Sequence, residues 1–291
     1  MRPSRGDSFP VSHPVAGDKA ELAALWQTVF HDSGEYAELI FSRVYVPDNT
    51  LVIRLGGEIV SMLQMVPCEM KTGDSVVPAA YVCGVATLPS ERGKGLMTGL
   101  MAAALNVMRQ KGFAYSFLIP AEAWLFEVYK KSGFTQEIYR AAETYTRDGL
   151  TVGGRALTTG GLLPDGHVLS SDCLSPSSDL EFVDSSDLEF VDYSDSRGGD
   201  YFSFFDTKQR ERHSAILHNS YDVETAVRDL KYDNGTVRVA LDKGNPAGIA
   251  FAAPTSDNSV TIKEILYNDN RIKESLIRHI LDRYNATTAE V

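Results

Sequence analysis

Basic residues are in short supply in this chain: 28 Lys and Arg stand against 39 Asp and Glu over 291 residues, leaving a net charge of −11. A protein that grips a nucleic-acid backbone neutralises phosphates with clustered cations, so nucleic acid is excluded as the principal partner and a cationic substrate is favoured. Cysteine is equally sparse. Cys68, Cys83 and Cys173 form neither a CxxC nor a Cys/His pattern, which excludes a disulfide framework and a zinc site and fits a reducing cytoplasm. No metal is expected. Long apolar runs are missing as well: nothing approaches the roughly 20 residues needed to span a bilayer, and the polar residues 1–14 lack the apolar core of a signal peptide. The expectation is a cytoplasmic protein without a membrane partner. A homo-oligomer is compatible with this composition.

The apolar fraction of 43% is enough to fill a core. Leu22, Leu25, Trp26, Val29 and Phe30 recur at helical spacing, and Tyr36, Ile40, Phe41 and Val44 mark a second helix. Residues 50–55, 59–70 and 76–88, separated by Gly56-Gly57 and Gly73-Asp74, read as an antiparallel meander whose apolar third strand is central. A helix over 96–110 and a strand over 115–119 then make a strand, crossover helix, parallel strand unit. A helix over 121–132 and a strand over 134–146 are expected to close the first domain near residue 150. The fold class is α/β, as a mixed sheet of α+β character. Residues 151–198 are rich in Gly, Ser and Asp and carry SSDLEFVD twice in tandem, at 177–184 and 185–192. Two copies are too few to stack as a solenoid, so this region is expected to be a linker with irregular strand content. From Tyr201 onward helices, a hairpin around Gly244-Asn245, a strand over 260–267 and a helix over 271–284 echo the order of the first half.

Residues 82–97, VCGVATLPSERGKGLM, run from an apolar strand through a glycine turn into a helix. Free N–H groups and the partial positive charge at such a helix start attract an anion, and Gly93 and Gly95 allow close backbone approach. Arg92 and Lys94 add charge, so a phosphate group fits this junction.

These residues resemble the GNAT acetyltransferase superfamily. Arg92, Gly95 and the preceding Val85-Ala86-Thr87-Leu88-Pro89 match its cofactor motif, with Met97 where the family usually has Gly or Ala. The strand Phe117-Leu118-Ile119-Pro120 followed by Tyr129-Lys130-Lys131-Ser132-Gly133-Phe134 is similar to its second segment. The resemblance covers residues 18–146. It implies an acetyl-CoA-dependent N-acetyltransferase acting on a primary amine of a small molecule by direct attack in a ternary complex. Val85 and Thr87 would supply main-chain groups to pantetheine, an N–H near Val85 or Ala86 would stabilise the oxyanion, and Arg92, Gly93, Lys94, Gly95, Leu96 and Met97 would hold the pyrophosphate. Tyr129 would be the general acid that protonates the CoA thiolate. Glu69, Glu122 and ordered water remain open as the base. Phe30, Asp32, Glu35, Tyr36, Glu38, Phe41 and Tyr45 would wall the acceptor groove.

The second half resembles a worn copy: residues 85–92 align without gaps onto 264–271, placing Ile272 at the position of Gly93 and Glu274 at that of Gly95. Such a tandem is similar to the enhanced-intracellular-survival acetyltransferases without their third domain. The implied layout is an extended N-terminus over 1–14, a catalytic GNAT domain over 15–150, the linker over 151–198 and a degenerate GNAT-like domain over 199–291. An acyl-CoA-sensing or partner-binding protein without catalysis is the alternative.

Overall fold

The computed structural model describes residues 9–147, 149–160, 187–194, 201–255 and 258–291. The first octapeptide copy, Cys173 and residues 1–8 lie outside the described residues. The chain divides into two compact units, the first mainly residues 1–139 and the second mainly 140–156 and 165–291. Each is a mixed α/β layer structure. Among the described residues no helix is long and apolar enough to cross a membrane.

In the first unit β1 (Val11–Ser12), α1 (Lys19–Phe30) and α2 (Gly34–Arg43) precede the meander β2 (Thr50–Leu55), β3 (Glu58–Thr72) and β4 (Ser75–Thr87), followed by α3 (Leu96–Gln110), β5 (Tyr115–Phe117) and α4 (Ala123–Lys130). The sheet order is β1-β2-β3-β4-β5, with β2, β3 and β4 antiparallel and β5 parallel to β4. Period-two alternation sends Leu63, Met65, Ala80 and Val82 to one face, where they pack with Leu100, Met101 and Ala104 of α3. Met62 and Ala86 go to the other face and meet Leu22, Trp26 and Phe41 of α1 and α2. The α2 start is fixed by Ser33, whose hydroxyl accepts from the Tyr36 N–H at 3.1 Å.

After α4 the chain leaves this sheet. The strand expected to close the first unit forms as β6 (Glu137–Thr146), but it lies with β7 (Gly149–Gly160) in a second sheet. The later elements are β8 (Leu188–Asp192), α5 (Tyr201–Glu211), β9 (Ser214–Leu217), α6 (Ser220–Tyr232), β10 (Thr236–Asp242), β11 (Asn245–Pro254), β12 (Ser259–Tyr267), α7 (Asn270–Arg283) and β13 (Thr288–Glu290). The second sheet runs β7-β6-β13-β12-β11-β10-β8. Its central strands follow the same pattern as the first sheet: an antiparallel meander, then a crossover helix and one parallel neighbour. Leu188–Asp192, within the second octapeptide copy, is the edge strand β8, hydrogen-bonded along β10 and packing Val191 into the core.

The place of β6 follows from what its side chains meet. The Glu143 carboxylate receives the Lys273 ammonium at 2.5 Å and the Tyr145 hydroxyl at 2.7 Å, and its backbone exchanges two hydrogen bonds with Val291. The Lys273 ammonium also lies 5.3 and 5.6 Å from the ring centroids of Tyr145 and Tyr267. Burial works against both charges, but the pairing outweighs it: Glu143 stays below its ordinary carboxylate value, and Lys273 is raised to about 12. A depressed carboxylate contributes stability above its unfolded value of 4.5 and loses it as pH falls through the folded value. A raised lysine contributes below its unfolded value of 10.5 and loses it as pH rises through about 12. Glu143→Gln is therefore expected to lower stability near neutral pH by about 1.5–3 kcal/mol and to flatten the acid-side decline, both read from thermal denaturation across pH.

Candidate functional site

β4 and β5 stay in register only from Ala79 to Tyr81, opposite Tyr115 to Phe117. β4 then runs on to Thr87 without its parallel neighbour, and the gap between the two strands opens into a cleft of about 820 Å³ within the first unit. A strand edge that loses its partner exposes N–H and C=O groups that a ligand with amides can satisfy.

A bulge shapes this edge. Met62 pairs with Ala86 and Gln64 with Cys83, so Gly84 and Val85 together oppose the single residue Leu63. Gly84 has φ +57°. A Cβ there would lie 2.7 Å from Trp26 Cζ3 and 3.2 Å from Gln64 Nε2, so both backbone conformation and space demand glycine. Gly84 was not among the site residues expected from the sequence, although an isolated glycine inside an apolar strand is the signal of a bulge.

The far end of the cleft is the start of α3. Gly93 and Gly95 take φ +76° and +86°, and a Cβ on either would meet nothing within 4 Å. Their requirement is conformational, and the space beside them is open. Gly95 is the N-cap residue and supplies no side chain to the first turn, which also contains no acid. The leading N–H groups of this 15-residue helix thus face the cleft uncapped by protein carboxylate. Arg92 Nε donates to the Thr87 carbonyl at 3.3 Å, bracing the turn, and Lys94 pairs with Glu91 at 2.7 Å.

Of the residues expected at the site, Val85, Thr87, Arg92, Gly93, Gly95, Leu96, Met97 and Tyr129 line the cleft. Ala86 is fully buried in the α1/α2 core, and neither it nor Lys94 lines the cleft. Tyr129, 9% exposed, stands edge-on to Phe134 with ring centroids 6.3 Å apart. Burial raises its pKa, keeping the phenol protonated. Cys83 also borders the cleft, and burial pushes its thiol up to about 12. Glu122 reaches the rim and accepts the Trp124 indole N–H at 2.6 Å, whereas Glu69 is exposed on β3 opposite Pro78, away from the cleft lining. From α1 the cleft receives Trp26, Val29 and Phe30, and His31 follows at the helix end. Asp32 instead accepts the Trp26 indole N–H at 2.7 Å, and Phe41 is core.

The second unit repeats the divergence and closes it. β12 pairs with β13 only from Ser259 to Thr261, then continues to Tyr267 along a cleft of about 670 Å³. Here one N–H of the strand edge is satisfied internally: that of Ile265 donates to Glu264 Oε1 at 2.9 Å, and Arg212 holds that carboxylate with two bonds of 2.9 and 2.6 Å. The following helix starts without a glycine turn. Asp269 caps it, its carboxylate accepting the Ile272 N–H at 2.9 Å. Ile272, aligned with Gly93, is 1% exposed in the core.

Residues 13–136 match the family model described as an acetyltransferase (GNAT) domain. No curated protein matches the chain. Among solved structures it is similar to a GCN5-related N-acetyltransferase from Anabaena variabilis (TM-score 0.71, 15% identity, 97% of this chain and 65% of that one). It is also similar to a probable N-acyltransferase from Enterococcus faecalis (0.69, 14%, 98% and 65%) and to Eis1 from Mycobacterium abscessus (0.64, 12%, 97% and 65%). At these identities the likeness establishes the fold, and the chain spans just under two thirds of the length of each of the three.

The bulge provides a direct test of how the cleft is built. Gly84→Ala is expected to cost about 1–3 kcal/mol through the positive φ, with further cost from displacement of the Trp26 ring. Thermal denaturation and tryptophan fluorescence would read the two effects.

Proposed function

We propose that the chain is an acetyl-CoA-dependent N-acetyltransferase, with the first unit carrying the chemistry on a primary amine of a small molecule in the cytoplasm. The observation that carries this reading is the coincidence, in one cleft, of a released strand edge and an uncapped helix N-terminus. One suits the amides of pantetheine, the other its pyrophosphate. The match of residues 13–136 to the acetyltransferase family supports it.

In this reading the β4 edge at Val85 and Thr87 aligns the pantetheine arm, while the turn from Arg92 to Met97 receives the phosphates. A main-chain N–H near Val85 or Ala86 faces the thioester oxygen as the amine attacks, an interaction worth about 2.7–4 kcal/mol at a preorganised donor. Tyr129 holds the proton that the departing thiolate takes; its raised pKa keeps that proton in place near neutral pH. Direct attack in a ternary complex is favoured over an acyl-cysteine, because Cys83, with its thiol held at about 12, is a poor nucleophile. The division of labour follows: the first unit as the catalytic domain and the second, which takes in β6, as a degenerate GNAT-like domain. In the second, Glu264 and Asp269 occupy the positions where ligand would bind. The excess of acidic residues suits a cationic acceptor.

Calorimetric titration with acetyl-CoA tests the reading. Wild-type protein is expected to bind, and Gly95→Glu to lose at least 100-fold in affinity while remaining folded by circular dichroism. Tyr129→Phe is expected to bind acetyl-CoA within twofold of wild type and to lose about 100-fold in kcat. Binding without turnover of any amine would favour an acyl-CoA-sensing role, and absence of binding by folded wild type would overturn the reading.

A further inference from the structure

Three large apolar side chains that stay in contact with solvent, Phe30, Ile119 and Trp124, line the same cleft, where they are 39%, 58% and 60% exposed. Exposed apolar residues scattered singly need no explanation, whereas several that share one concave site mark a surface that a ligand covers. Two of the three are held in place. The Phe30 ring lies 4.6 Å from that of Trp26, tilted by 56°, and Trp26 is in turn bonded to Asp32 and abuts Gly84. The Trp124 indole N–H is fixed by Glu122. Rings that are ordered before a ligand arrives add little entropic cost to its binding.

The contacts from Phe30 through Trp26 to Gly84 set this apolar wall beside the β4 bulge rather than at the glycine turn that suits phosphate. Negative charge is scarce there. Glu91 and Glu122 are the carboxylates of the cleft lining, and Glu91 already pairs with Lys94. Glu122 is left without a cationic partner among the described residues, its one printed bond being to the Trp124 indole. Asp32 is turned onto Trp26, and neither Glu35 nor Glu38 lines the cleft. A ligand with several ammonium groups would bring more charge than one carboxylate answers, and each unanswered charge drawn out of water costs desolvation. A single ammonium on an apolar body matches both the charge and the surface.

We propose that the acceptor is a monoamine with an apolar or aromatic body, which packs on Phe30, Ile119 and Trp124 while its one ammonium group is drawn to the cleft by Glu122. The proposal rests on the N-acetyltransferase reading and names the acceptor class for it. Polyamines and aminoglycosides are poor substrates in consequence, because they carry ammonium groups that the lining does not pair and set polar groups against the apolar rim. Contacts in an apolar pocket discriminate between acceptors by about 10–200-fold.

The test measures kcat/KM of the full chain at saturating acetyl-CoA for 2-phenylethylamine, hexylamine, ethanolamine, spermidine and kanamycin. The first two, apolar monoamines, are expected to exceed the other three by at least tenfold. Trp124→Ala and Phe30→Ala are expected to raise KM for 2-phenylethylamine at least fivefold while kcat, and acetyl-CoA affinity by calorimetry, stay within twofold of wild type. Val76→Ala, at an exposed apolar residue outside the cleft lining, is expected to change none of these. If Phe30→Ala does not fold, Trp124→Ala decides, since its side chain lies at the surface. Preference for spermidine or kanamycin overturns the proposal, as does equal use of all five amines. Weaker acetyl-CoA binding by Trp124→Ala would assign the rim to the cofactor, and an altered choice between acetyl-CoA and hexanoyl-CoA with amine KM unchanged would assign it to the acyl chain; either result overturns the proposal. Turnover of no amine by wild type that binds acetyl-CoA would instead sink the acetyltransferase reading, and this proposal with it.

Discussion

Three residues of parallel pairing, followed by divergence, govern the architecture of the first unit. β4 and β5 are held together from Ala79 to Tyr81, and beyond that the longer strand continues alone to Thr87. Main-chain groups cannot be left unpaired in a dry interior, so the divergence has to create a solvent-accessible cleft. The crossover through α3 then places a helix N-terminus at one end of that cleft. The bulge at Gly84 refines the geometry by turning Val85 out of simple alternation and bringing Trp26 and Gln64 beside the strand edge.

The second unit shares this topology and differs in how its strand edge and helix start are satisfied. It has the same short parallel pairing and the same crossover helix, yet one N–H of the strand edge and one of the helix start are already taken. Glu264 receives the N–H of Ile265, and Asp269 receives that of Ile272. The helix in the first unit begins after Gly95, whose missing side chain leaves the anion position open. The contrast reduces to whether the protein supplies its own carboxylate at the helix start. Ile272 buried in the core reinforces it, since a residue committed to packing cannot also form an open turn.

Much of this was legible in residue order. The meander, the crossover helix over 96–110 and the glycine turn before it appear where periodicity and turn residues place them, with β2 and α3 formed over the expected residues. Gly93 and Gly95 announced their positive φ by their identity, and Tyr129 lines the cleft. Less was visible where a side chain's own partner or position in the fold decides whether it reaches the cleft. Asp32, expected in the acceptor groove, is bonded to Trp26, and Glu69 lies away from the cleft lining. Lys94, expected beside the phosphate, is paired with Glu91.

What the sequence determined by itself is local: which segments are strands and helices, and where glycine permits a turn. These follow from dihedral preferences and from the period of apolar side chains, properties of neighbours along the chain. Tertiary structure decided that β6 joins the second sheet, that one octapeptide copy becomes its edge strand, and that Gln64 lies unpartnered behind Gly84. Each depends on strand pairing and side-chain contact between residues far apart in the chain. The propensity of residues 137–146 to form a strand is the same in either sheet, so only the partners that satisfy Glu143, Lys273 and the exposed edge of β13 could choose between them.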